Sequence, residues 1–165
     1  MKVECITPKN TSLLIQARQK VNPDEGKTQE EFAAEAEKYA IAGDRKAFVM
    51  LGNSGVIGYI LVLAIGAVPE AIPDGKHFSS YAHISKIGVD QAFRRKGVGK
   101  ILLVHAEAWA KARSMKGIWL DYLPETEGLA EFYSNAEYRK ILDFEDAKKG
   151  KVKLRRIAAK GFKTE

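Results

Sequence analysis

His83-Ile-Ser-Lys-Ile-Gly-Val-Asp-Gln-Ala-Phe-Arg-Arg-Lys-Gly-Val-Gly-Lys-Ile-Leu-Leu103 is the stretch that decides the fold. Its first part, Ile84 to Val89, is apolar and β-branched and reads as a strand. A short polar link follows, and Arg94-x-x-Gly97-x-Gly99 then opens a helix expected to run to about Met115. Strand, basic glycine turn and helix together make a device for holding a phosphate. The first turn of a helix carries backbone N–H groups without a partner, and the helix dipole is positive there. Gly97 and Gly99 have no Cβ, so an anion can come close to the backbone. Arg94, Arg95 and Lys96 add charge at the same place. The pattern lacks the three glycines of a dinucleotide fingerprint and the Gly-Lys-Ser/Thr of a P-loop.

Working outward, residues 2–7 read as a strand, and Asn10-Thr11-Ser12 offers capping side chains for a helix to about Lys20. Asn22 to Gly26 is a turn, and Thr28-x-x-Glu31 is a capping box that starts a second helix to about Ala42. That helix has an acidic exposed face of Glu30, Glu31, Glu35 and Glu37. Two β-rich runs, Ala47 to Leu51 and Val56 to Ile65, are joined by Gly52-Asn53-Ser54-Gly55 and read as a hairpin. Residues 66–80 hold Gly66, Pro69, Pro73 and Gly75 and read as a long loop. After strand 81–89 and helix 97–115 come strand 117–122, helix 125–136 and a closing hairpin of about 138–145 and 151–158. The order βααβββαβαββ predicts an α/β protein, a mixed sheet with helices on both faces, in one domain spanning 1–165.

Composition limits what such a domain does. The 165 residues are 45% hydrophobic, which excludes disorder and allows one sizeable core. No apolar run approaches the roughly 20 residues that span a bilayer, and Met1 to Ile6 is too polar for a secretory signal. The single cysteine, Cys5, cannot form an internal disulfide, so a cytoplasmic setting is expected. The net charge is +6, with Lys148, Lys149, Lys151, Lys153, Arg155, Arg156, Lys160 and Lys163 near the end. These alternate with Val152, Leu154 and Ile157, the pattern of a solvated hairpin face, so neither nucleic acid nor membrane is an expected partner. Three dispersed histidines and one cysteine give no metal spacing.

A second segment joins the first. Ile118-Trp-Leu-Asp-Tyr-Leu-Pro-Glu-Thr-Glu-Gly-Leu-Ala-Glu-Phe-Tyr-Ser-Asn-Ala-Glu-Tyr138 is a strand, a proline-marked turn and a helix ending in Phe132-Tyr133. Arg94-x-x-Gly97-x-Gly99 resembles the acetyl-CoA pyrophosphate loop of the GNAT family of N-acetyltransferases, whose consensus is Gln/Arg-x-x-Gly-x-Gly/Ala. The second segment is similar to that family's second cofactor segment at Trp119, Leu120, Asp121, Leu123, Pro124, Phe132 and Tyr133. It departs from it at Thr126, where Asn is usual, at Leu129 for Ala, and at Glu137-Tyr138 for Gly-Phe.

The resemblance implies the GNAT acyl-CoA N-acyltransferase fold and acetyl-CoA as cosubstrate, with no metal. It assigns cofactor holding to Arg94, Arg95, Lys96, Gly97, Val98, Gly99 and Lys100, with Arg94 closing on the pyrophosphate. Ile87, Gly88 and Val89 fall where the family's strand bulges away from its neighbour and binds the pantetheine arm. The N–H of Ile87 is the better candidate for the oxyanion, and Thr126 replaces an asparagine of the pantetheine region or caps the helix. Tyr133 matches the tyrosine near the CoA sulfur, as proton donor or as hydrogen-bond donor only.

Acetyl transfer to an amine also needs a proton acceptor, because an alkylammonium has a pKa near 10.4. His83 stands where one branch of the family carries its catalytic glutamate, and Asp121 is the alternative, as relay or amine anchor. His105 and Trp109, a helical turn apart, are expected to pack, and His77 in the long loop to reach substrate at most. The expected function is direct acetyl transfer, in a ternary complex, to a primary amine: a small molecule, a peptide N-terminus or a lysine. The alternative is a CoA-binding module without transferase activity. Relatives also suggest a homodimer.

Overall fold

The computed structural model describes residues 1–22, 26–64 and 78–163. In chain order they form β1 (Lys2–Cys5), α1 (Thr11–Val21), α2 (Gln29–Ile41), β2 (Arg45–Gly52), β3 (Gly55–Leu63) and β4 (Tyr81–Val89). Then come α3 (Val98–Ala112), β5 (Gly117–Tyr122), α4 (Leu129–Asn135), β6 (Arg139–Lys148) and β7 (Lys151–Gly161). A 3-10 turn, Gln91–Phe93, links β4 to α3. This is the βααβββαβαββ order expected from the sequence. The strands form one sheet in the order β1-β2-β3-β4-β5-β7-β6. β4 and β5 pair in parallel and the other neighbours antiparallel.

Each face of the sheet takes a helical layer because the strands alternate apolar side chains to both sides. On one face α3 buries Val98, Leu102, Leu103, Ala106 and Ala110, a stripe at helical spacing, against Ile57, Ile60, Val62, Ile84 and Leu120. Burying one such leucine stabilises the fold by about 1.5–3 kcal/mol. On the other face α1 and α2 bring Leu14, Ala17, Ala36 and Tyr39 against Val49, Tyr59 and Leu61. The Thr28 hydroxyl accepts the Glu31 N–H at 3.2 Å and caps α2, as its pattern predicts, a contact worth about 1 kcal/mol.

Local geometry departs from the sequence reading in four places. Asn10 does not cap α1 with its side chain. Its Oδ1 accepts the Thr7 N–H at 2.7 Å and its Nδ2 donates to the Cys5 carbonyl at 3.1 Å, fixing the turn out of β1. α3 stops at Ala112, just before Ser114, which has φ 60°. α4 begins at Leu129 instead of 125, because Gly128 is left-handed at φ 82°. Thr126 therefore lies exposed in the turn before the helix and is not its cap. Residues 23–25 of the first turn and 65–77 of the long loop, His77 among them, lie outside the described residues.

What positions the site is the behaviour of β4. Against β3 its register shifts at Ser85, which has no partner between Ile84 and Lys86. That bulge resets the alternation: Ile84, Ile87 and Val89 face the α3 layer, whereas Ser85 and Gly88 face α2 and α1. Against β5, pairing covers Tyr81 to His83 with Gly117 to Trp119 and then stops. Beyond it the two parallel strands diverge, and residues 84–89 have no strand on that side among the described residues.

Candidate active site

The opening between β4 and β5 has a phosphate-type loop at its mouth. Asp90 anchors that loop: its N–H donates to the Ile57 carbonyl at 2.8 Å, and its carboxylate accepts the Ala92 N–H at 3.2 Å and meets Lys20 Nζ at 3.1 Å. Lys20 and the Ala92 amide hold its carboxyl below the usual range. Arg95 and Gly97 are both left-handed, at φ 61° and 83°. Such alternation turns consecutive N–H groups toward one concavity. None of the amides of residues 95–100 finds an acceptor among the described residues, and the space where a Gly97 Cβ would stand is open. Arg94, Arg95, Lys96 and Lys100 are all exposed around it. Arg94 Nε donates to the Val89 carbonyl at 3.3 Å, and Lys96 Nζ lies 5.4 Å from the Phe93 ring centroid. Open amides, an unfilled cradle and four cations fit a pyrophosphate.

Two glycines serve packing. A Cβ on Gly99 would come within 3.0 Å of the Phe132 ring, so this glycine lets α4 approach α3. A Cβ on Gly88 would meet Val21 at 2.7 Å and the Tyr59 ring at 2.8 Å, so Gly88 admits the end of α1. Val98 is buried in the core and can offer an anion only its backbone.

Deeper in, two groups of side chains flank the opening from opposite faces of the sheet. On the α3 and α4 face, Tyr133 is buried with its ring 4.7 Å from Tyr122, 5.0 Å from Phe132 and 6.0 Å from Tyr138. Its hydroxyl makes no hydrogen bond among the described residues. Burial, with smaller contributions from Tyr122 and Asp121, holds this phenol far above its ordinary pKa. It is therefore a firmly protonated hydrogen-bond donor.

On the other face His83 stacks on Trp119, its parallel register partner, with ring centroids 3.9 Å apart and 14° between the planes. His83 Nε2 stands 3.9 Å from Asp121 Oδ1, while Arg155 Nε donates to Asp121 Oδ2 at 2.6 Å. The first approach is too long for a hydrogen bond and the second is short and charge-assisted. Both ring nitrogens of His83 are buried without a hydrogen-bond partner. Burial opposes ionisation of Asp121, but His83 and Arg155 outweigh it and keep the carboxyl below its usual range.

The structure thus brings His83 and Asp121 together and sets Tyr133 across the sheet from them. Arg155 escaped the sequence reading, which took the late basic residues as a solvated face. Arg156 is also pinned, by Asp143 at 2.7 and 3.1 Å, on the opposite side of β7. The available signal was the strand alternation that sets Arg155 in phase with buried Ile157 and Ala159. His105 packs at 5.5 Å from the Phe48 ring and Trp109 lies under Arg113, as expected. A surface hollow lined by Tyr122, Ser134, Arg139, Lys140 and Arg156 sits between α4 and β6, outside the β4–β5 opening. No group of three metal-ligating side chains occurs among the described residues, and none of their helices is long and apolar enough to cross a membrane.

The model of the GNAT acetyltransferase family matches residues 13–138, three quarters of the chain. The chain belongs to the GNAT family. It is an N-acetyltransferase. Among solved structures it is similar to a protein described as a streptothricin acetyltransferase from Bacillus anthracis, in complex with acetyl-CoA. The two are 23% identical, with 76% of this chain and 67% of the other covered, at a TM-score of 0.64. An aminoglycoside 6'-N-acetyltransferase complexed with CoA is 17% identical, with 98% and 97% covered and a TM-score of 0.73. The ribosomal-protein-S18-alanine N-acetyltransferase of Escherichia coli is 13% identical, with 99% and 95% covered and a TM-score of 0.72. No curated protein matches by sequence. At these identities the solved structures establish the fold, and the family model establishes the GNAT acetyltransferase class.

Proposed function

We propose that this GNAT enzyme passes acetyl from acetyl-CoA directly to a primary amine, both substrates being bound at once. The observation that carries the reading is the β4–β5 opening itself. A phosphate-type loop lies at its mouth, a protonated tyrosine on one face of the sheet and a histidine–carboxylate pair on the other. Donor and acceptor then enter from opposite sides and meet between the strands, with no enzyme nucleophile required.

Acetyl-CoA supplies an acyl carbon activated as a thioester. We assign the rest to this chain's residues. The amides of 95–100 and the charges of Arg94, Arg95 and Lys96 hold the pyrophosphate. The backbone edge at Ile87 and the Val89 N–H pair with the pantetheine amides, and the Ile87 N–H receives the carbonyl oxygen as it gains charge. Tyr133 donates a hydrogen bond to the sulfur as it leaves. Its raised pKa favours this over full proton transfer. His83 accepts the proton of the acceptor ammonium, and Asp121 faces the charge that forms. His83 Nε2 and Asp121 Oδ1, 3.9 Å apart, are the two groups we assign to the acceptor nitrogen and its proton.

The acceptor class is a small-molecule amine, a peptide N-terminus or a lysine, and the single cysteine keeps the cytoplasm as the expected location. Calorimetric titration with acetyl-CoA and with CoA, paired with thiol release across an amine library, tests the reading. Binding with amine-dependent release is expected. Binding without release for every amine class would leave only the silent CoA-binding module, and absence of binding would overturn the loop assignment.

A further inference from the structure

We propose that Arg155 is a positioning residue for the proton acceptor: it holds one oxygen of Asp121, so that the other faces His83 without bonding to it. The inference rests on the reading of His83 as proton acceptor, and its test needs neither acetyl-CoA nor an amine.

Three strands build the arrangement. The parallel register sets His83 beside Trp119, and the stack at 3.9 Å and 14° fixes the ring plane and hence the direction of Nε2. Asp121 follows Trp119 by two residues and emerges on the same face. β7 runs antiparallel to β5, with Asp121 opposite Ile157, so Arg155 reaches Asp121 from the diverging end of the strands. Its Nε takes Oδ2 at 2.6 Å, leaving Oδ1 at 3.9 Å from Nε2. The side chains of Asp121 and Arg155 are 25% and 27% exposed, so water screens this pair only in part.

The 3.9 Å gap is the functional quantity. The step breaks an N–H bond of the acceptor ammonium. The electron pair stays on nitrogen for attack at the acyl carbon, and the proton bonds to Nε2. A histidine already protonated and locked onto a carboxylate cannot take that proton. Without Arg155, a partly buried carboxylate with His83 as its nearest cation would rotate to close the gap and hold the ring protonated. Arg155 removes that option while keeping Asp121 ionised, so that the carboxylate still meets the imidazolium once it forms. The other titratable groups around this pair include Tyr133, which feels the charge of Asp121 across the sheet, and, from α2, Tyr39 beside Ser85. The Tyr39 hydroxyl lies 3.1 Å from Ser85 Oγ, and Arg45 covers its ring. None of them is altered by the substitutions below.

The test follows the His83 ring by NMR against pH in the isotope-labelled full chain, assigned by its loss in His83→Asn. In Arg155→Gln the titration midpoint is expected to rise by about half a pH unit or more. In Asp121→Asn it falls. Arg155→Lys keeps the charge but not the planar fork and gives an intermediate midpoint. Arg156→Gln, on the opposite side of β7, leaves the midpoint in place and controls for loosening of the hairpin. Coincident midpoints in wild type and Arg155→Gln, or an equal shift in Arg156→Gln, overturn the proposal. If Arg155→Gln does not fold, wild-type behaviour in both Arg155→Lys and Asp121→Asn overturns it. Failure of acetyl-CoA binding would instead strike the proposed function and leave these titrations readable.

Discussion

The loop at residues 94–100 and the cluster of His83, Trp119, Asp121 and Arg155 are built by opposite means. The loop is contiguous, and the ligand groups we propose for it are backbone amides. Its exposed side chains add charge without having to interlock. The cluster draws on β4, β5 and β7, and its groups are side chains held at 2.6 and 3.9 Å. A backbone site depends on local conformation, which two left-handed residues fix at 95 and 97. A side-chain site depends on sheet register, so any change that slides or loosens a strand alters its distances. The loop should therefore be broken by what is placed at one position, and the cluster tuned by partners far away in the chain.

The largest expected effect tests the local half of that comparison. Gly97→Glu forces a side chain into φ 83° and puts negative charge in the cradle, so CoA affinity by calorimetry should fall at least about a hundredfold. Wild-type affinity in this variant would sink the loop assignment. Next comes the assembled half. Tyr133→Phe removes a hydroxyl with no hydrogen-bond partner among the described residues, so stability should hardly change. We expect kcat to fall about tenfold or more while KM stays within about twofold. An unchanged kcat, with chemistry rate-limiting, reduces Tyr133 to packing.

A smaller effect separates the two sides of β7. Bonding to Arg156 first, and to Lys140 as well, pulls Asp143 to a pKa of about 2 against some opposition from burial. Its folded value lies below its unfolded one, so the stabilisation is fully present above about pH 4 and is lost as pH falls toward 2. Asp143→Asn should be less stable than wild type by about 1 kcal/mol near pH 6, because the pair is partly exposed. The two denaturation curves should converge near pH 2, and a gap that persists there would show that the ion pair is not its source. The smallest effect lies at the exit of α4. Glu137 occupies φ 69°, a conformation that favours glycine, and its contact to Lys160 is a loose 3.8 Å. Glu137→Gly should raise stability by about 0.5 kcal/mol, readable as a higher melting temperature, and a lower one would show that the ion pair outweighs the strain.

How legible each part was follows from the same contrast. The element order could be read because helical and strand periods are local, and the glycine turn before α3 because its glycines sit within a few residues of one another. Boundaries failed where a single backbone conformation intervened, as at Gly128, which delays α4 and strands Thr126 outside it. Gly88 and Gly99 were read as conformational or anion-approach residues. Their packing against Val21 and Phe132 involves neighbours that sequence distance conceals. Arg155 was hidden for the same reason: among eight late basic residues, nothing marks the one whose strand lies beside Asp121.

By itself, then, the sequence determined the periodicities, the breaks and the glycine turn before α3, each a property of short segments under local steric and solvation rules. Tertiary structure alone decided that β7 inserts beside β5, that β4 and β5 part after His83, and that one arginine of a basic tail meets a half-buried aspartate. Those outcomes depend on which strands share hydrogen bonds and in what register. That choice is made by packing two helical layers onto one sheet, a balance over the whole core that no single segment encodes.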